Sequence, residues 1–142
     1  MSSADHTRSA AAIRSAVVAN VALLVLLAAF PVLTPDRFLA GFGISNAPFA
    51  VFGLVRVFAV FSIVLATVVW SARDWLQSPA GRPAVVALTG AYAFGALLLF
   101  TQQWAVWYGR SGVGLTLGCA ALAFSYGKAL TKSSVDVATR AG

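Results

Sequence analysis

Acidic residues are scarce in this chain. Asp and Glu number 4 against 10 Lys and Arg, and charged residues make up 10% of the whole, where soluble domains carry about 25%. So few charges cannot build the polar shell that a water-soluble domain of 142 residues needs. The 60% share of apolar residues equally excludes a disordered tail protein. Histidine and cysteine are nearly missing: His6 lies in the polar N-terminal stretch and Cys119 inside an apolar run. Acting alone, the chain cannot offer a haem two axial imidazoles within a membrane. Nor can it form an internal disulfide, a CxxC pair or a thiolate metal cluster. Cys119 reads as a small buried residue. No Ser/His/Asp set, metal motif or phosphate loop is present, so no catalytic residue, metal site or cofactor is expected. Asp5, Asp36, Asp74 and Asp136 all fall outside the apolar runs. The chain thus lacks the intramembrane carboxylate that a proton-coupled transporter usually keeps.

What is there instead is four long apolar runs, over about 15–33, 49–70, 84–104 and 111–130. A helix crosses the hydrocarbon core in about 20 residues and satisfies its own backbone groups, as lipid demands. The first run has the basic start of a signal peptide, Arg8 and Arg14. Phe30 and Pro31 occupy the region where a cleavage site would lie, so it reads as a retained helix. The expected fold is all-α: a single integral membrane domain, 1–142, built as a four-helix transmembrane bundle, with polar, mobile tails at 1–7 and 133–142. Within the first loop, Thr34 to Gly41 reads as a short interfacial helix. Thr34 would cap it, Pro35 suits its first turn and Gly41 would end it. Phe38, Leu39 and Phe42 would dip into the outer interface. The short third connection makes the third and fourth helices antiparallel neighbours.

The net charge of +6 forms no basic stripe and meets no aromatic nucleic-acid module, so nucleic acid is not an expected partner. It reads as topology. Four spans put Arg8, Arg14, Arg73, Arg82, Lys128, Lys132 and Arg140 on one side, and only Arg37 and Arg110 on the other. The positive-inside rule places the larger set, with both termini, in the cytoplasm of a cell with the chain in its inner membrane. Trp70 and Trp75 mark the inner boundary, and Trp104, Trp107 and Tyr108 the outer one.

Two features carry the functional reading. Small residues recur at helical spacing: Gly114 and Gly118 on the fourth helix, and Ala87, Ala91 and Gly95 on the third. Such faces let helices approach closely. They join the third and fourth helices to each other, or they make a homo-oligomer or partner contact. The second feature is Arg56, seven residues inside the outer end of the second helix, about 10 Å deep at 1.5 Å per residue. Its side chain leans outward, with Gly53 one turn above. Asp36, Gln103, Tyr92 and Thr116 are candidates to meet it in an outward-opening pocket. Such a pocket would hold an anion, a lipid head group or a quinone carbonyl; the alternative is an internal bond that locks the bundle. Asn20 lies far in depth from Arg56 and is expected to make an interhelical hydrogen bond.

The stretch Leu33-Thr34-Pro35-Asp36-Arg37-Phe38-Leu39-Ala40-Gly41-Phe42-Gly43-Ile44, with Leu54-Val55-Arg56-Val57-Phe58 and Val69-Trp70-Ser71-Ala72-Arg73, resembles small bacterial four-helix membrane proteins of a DoxX-like kind. It covers roughly 15–75. The resemblance implies the four-helix fold, makes Arg56 the helix-two arginine of the pattern, and implies a role beside membrane oxidoreductase or thiol-redox partners. It carries over no catalytic residue, and the single cysteine argues against thiol redox chemistry. The leading expectation is a non-catalytic integral membrane protein, an accessory or assembly subunit or a homo-oligomer, whose partners are the bilayer and another membrane protein or copy. The alternative is a lipid- or quinone-binding member of a redox complex, with its site near Arg56. A small anion channel ranks third, because the inner half supplies only scattered hydroxyls and Asn20.

Overall fold

The computed structural model describes residues 3–105 and 110–138, with side chains over 10–103 and 110–131. Its elements are α1 (Ser3–Leu33), α2 (Pro35–Gly41), α3 (Phe49–Ser71), α4 (Arg73–Leu76), a 3-10 turn at Pro79–Gly81, α5 (Arg82–Ala105) and α6 (Arg110–Ala138). No strand occurs among the described residues. Four helices are long and apolar enough to cross a membrane, over Ala10–Leu33, Phe49–Ser71, Pro79–Gln103 and Arg110–Thr131.

The long helices run past the expected limits where nothing stops them. α1 starts at Ser3 rather than near Ser15, because the alanine-rich segment before Ile13 has high helix propensity and no glycine or proline. α6 continues to Ala138 through a stretch equally free of breakers, so part of each expected tail is helical. Residues 1–2 and 139–142, and the side chains of Arg8, Trp104, Trp107, Tyr108, Lys132 and Arg140, lie outside the described residues. α3 begins where it was expected, after Pro48, whose φ of −57° suits a helix entry and whose missing N–H costs nothing there.

The four long helices pack in the order α3, α1, α6, α5, with α5 and α6 antiparallel neighbours as expected. α3 rests on α1, and α5 on α6; α3 makes no extended contact with α5 or α6. The buried seam of α3 is Val55, Ala59, Ser62, Ala66 and Val69, which alternates steps of four and three and stays on one side. These are small side chains, while Leu54, Phe58, Phe61, Ile63 and Leu65 point outward. The buried side carries no Leu, Ile or aromatic residue, while valines occur on both sides, so close contact with α1 selects against bulk rather than for hydrophobicity.

At one end the elements converge on a core of Ala16, Val17, Val69, Leu76, Val85, Leu122 and Tyr126, contributed by α1, α3, α4, α5 and α6. Arg14, Arg73, Arg82 and Lys128 belong to this end by sequence. Arg73 lies 4.8 Å over the Trp70 ring, donates to the Trp70 carbonyl at 3.3 Å and sits 3.6 Å from an Asp74 carboxylate oxygen. Gly81 closes the connection against the backbone: a Cβ there would stand 2.7 Å from Leu76 Cα and 2.9 Å from the Trp75 carbonyl carbon.

α2 packs on α1 and α6 at the opposite end. Leu39 and Phe42 are buried, and Phe38 meets both Phe30 and Phe42 edge-on. These side chains therefore seal the helix ends instead of projecting away from the protein. Thr34 precedes α2 but gives it no side-chain cap. Its hydroxyl donates back to the Phe30 carbonyl at 3.2 Å, which also accepts the Thr34 backbone N–H at 2.9 Å at the end of α1. Gly41 is the last residue of α2, and Gly43 takes the left-handed turn at φ 80°.

Candidate functional site

Arg56 follows Val55 of the buried seam by one residue, which turns it about 100° away from α1. It is exposed. Among the described residues it has no hydrogen bond or ion pair. Asp36 is exposed in α2. Thr116 is half-buried on α6 and donates to the Gly112 carbonyl at 2.9 Å. Gln103 is half-buried near the end of α5. With no extended contact between α3 and either α5 or α6, Arg56 stands apart from Tyr92, Gln103 and Thr116.

The structure gathers polar groups elsewhere. Tyr92 on α5 donates its hydroxyl to Asn20 Oδ1 on α1 at 2.5 Å. Asn20 Nδ2 donates to the Tyr126 hydroxyl on α6 at 3.1 Å. The tyrosine rings stack at 6.3 Å with 9° between their planes. Asn20 and Tyr126 are both 0% exposed. One primary amide thus uses both its acceptor and a donor to hold two neighbouring helices, and Asn20 makes the interhelical bond expected of it. Tyr92, placed by spacing on the face of Gln103 and toward Arg56, instead turns to this cluster.

Each helix brings its residue here for a local reason. On α1 the buried residues Ala16, Asn20, Leu24 and Ala28 recur every four positions, and Asn20 occupies one step of that stripe. On α6 the buried face is Cys119, Leu122, Tyr126 and Ala129. Tyr126 was not singled out by sequence reasoning. The available signal was its seven-residue spacing from the buried Cys119, two turns along one face.

Compared with protein-family models, curated proteins and solved structures, the chain matches none.

The small residues divide between two settings. A Cβ on Gly118 would meet only Leu23 side-chain carbons at 3.4 and 3.5 Å, so this glycine faces α1 in ordinary contact. Gly95 and Gly114 have nothing within 4 Å of a Cβ. Ala87 and Ala91 are exposed. Most of the expected packing residues therefore lie uncovered on the surface of the single chain. Chemically, the described residues present a neutral buried network that ties helices together and, at Arg56, an unpaired cation within the apolar span of an edge helix.

Proposed function

We propose that this chain is a non-catalytic membrane subunit that assembles, with copies of itself or with another membrane protein, through α5. One observation carries this reading. α5 stands at the end of the row, and Val85 is its single buried residue among those described. Ala87 and Ala91 are exposed, and Gly95, half-buried, has nothing within 4 Å of a Cβ, so among the described residues no helix covers the outer part of this line of small residues. Lipid alone gives no reason for small side chains at that spacing, whereas a second helix approaching closely does.

The reading includes insertion across a cell membrane with both termini cytoplasmic, which in a bacterium is the inner membrane. Support comes from the excess of basic residues at the converged end against Arg37 and Arg110 at the other. In this orientation α2 lies at the outer interface. A place among DoxX-like proteins belongs to the same proposal and rests on residues 33–44, 54–58 and 69–73.

The test is native mass spectrometry after extraction in mild detergent. The expected species is heavier than one chain and falls to a single chain in Ala91→Phe, a substitution at an exposed position that leaves the fold in place. A bare monomer for the unmodified chain, with no second protein, overturns the proposal.

A further inference from the structure

Arg56 is a charge in an apolar span with no partner among the described residues. It lies seven residues from Phe49, about 10 Å along the α3 axis. Leaving an arginine uncompensated at depth in hydrocarbon is costly, and such residues find an anion or water. The protein provides none: among the described residues no hydrogen bond or ion pair reaches Arg56. The acidic residue at this end, Asp36, lies in α2 outside the span and makes no ion pair among the described residues.

Helix geometry and the open space beside Arg56 give the direction available to its side chain. Helical side chains lean toward the helix N-terminus, which for α3 is the end bearing α2. One turn in that direction is Gly53, with nothing within 4 Å of where a Cβ would sit. One turn further is Phe49, 90% exposed. The long arginine stem can therefore lie along the α3 surface across Gly53, with its guanidinium carried toward the membrane boundary. There the planar fork matches the oxygens of a phosphate, which it engages by two parallel N–H donors.

We infer that Arg56 binds the phosphate of a phospholipid in the outer leaflet, with Gly53 as the notch through which the two meet. This rests on the membrane insertion proposed above, not on the subunit role. The site is built on α3, at the opposite end of the row from α5, so lipid and partner helix would use different edges.

The test is titration of the purified full-length chain in mild detergent with dioleoylphosphatidylglycerol and, separately, dioleoylglycerol, which has the same tails and no phosphate. Bound lipid is counted by native mass spectrometry. Arg56→Gln is expected to weaken phosphatidylglycerol binding about tenfold, the loss of a charge-assisted hydrogen-bonded pair. Arg56→Lys should lose less, and dioleoylglycerol binding should not change. Gly53→Leu, which keeps the charge and fills the notch, is expected to weaken phosphatidylglycerol binding as well. It decides the matter if Arg56→Gln fails to fold. Equal phosphatidylglycerol binding by the unmodified chain and the folded variants overturns the inference. So does an Arg56→Gln variant that loses a dimer while binding the same lipid, since the charge is then paired by a second copy. A monomer that binds phosphatidylglycerol through Arg56 keeps this inference and removes the subunit reading.

Discussion

Tyr92 on α5 donates to Asn20 on α1 across 2.5 Å, although α5 and α1 share no extended interface. The bond reaches past α6, which itself joins the network through Tyr126. α5, otherwise held by α6 alone among the long helices, gains a second point of attachment.

Removing these hydrogen bonds one at a time should therefore have graded effects. Tyr92→Phe is expected to cost about 0.6 kcal/mol and at most about 1.7 kcal/mol, the range for interhelical bonds in lipid. Asn20→Leu strands two hydroxyls and should cost more, about 1–3 kcal/mol. The triple variant Asn20→Leu, Tyr92→Phe, Tyr126→Phe should recover much of that loss, because nothing polar is left unpaired. Unfolding in detergent followed by circular dichroism measures all three. A triple variant less stable than Asn20→Leu alone would contradict the argument.

Gly81→Ala should destabilise the protein by about 1–3 kcal/mol, as overpacking does. The new methyl group meets the backbone of Trp75 and Leu76, which cannot rotate away. Gly90→Ala is the control: its Cβ would meet nothing within 4 Å, and in a helix alanine is favoured over glycine by about 1 kcal/mol. Paired thermal melts should move in opposite directions.

Gly41 is tight for a different reason. A Cβ there would run into the Ser111 hydroxyl and come within 3.1 Å of its Cβ, where α2 docks on α6. Gly41→Ala should lower the melting temperature, and Ser111→Gly in the same chain should restore part of the loss by removing the obstructing atoms. Failure of the second substitution to rescue the first would show that the contact does not hold α2 in place.

Some helix ends were easier to read than the faces: α3 begins at Phe49 as expected and the α5–α6 pairing follows from a short connection, whereas α1 and α6 run well past the apolar runs that marked them. Which side of each helix faces inward was not legible from hydrophobicity, because a helix that is apolar all round carries no stripe. On α3 the inward side is written in size, through Ala59, Ser62 and Ala66. Asn20 was legible as a hydrogen-bonding residue because an amide within an apolar run needs a partner. Its two tyrosines were not, since they stand 72 and 106 residues away and the order of packing decides whether they meet. Arg56 was legible as an exception, and its isolation followed only once α3 was found at the edge.

Thiol chemistry offers a check on both burial and orientation. Cys119 is buried and free, so a membrane-impermeant maleimide should leave it unlabelled in intact membranes and react after denaturation. In a Cys119→Ala background, Ser45→Cys should label from the outside of cells. Ser78→Cys should label only after the membrane is opened. The reverse pattern would invert the proposed topology.

The Asn20 network also sets an order of events in biosynthesis. α1 is made first, and its amide has no protein partner until 72 more residues have brought Tyr92 into being and 106 have brought Tyr126. A nascent chain carrying only α1 and α3 would present an unsatisfied amide within an apolar helix, a polar handle that the finished fold conceals. Completion of α6 pairs and buries that amide, so the finished chain and the partial one differ chemically at this position.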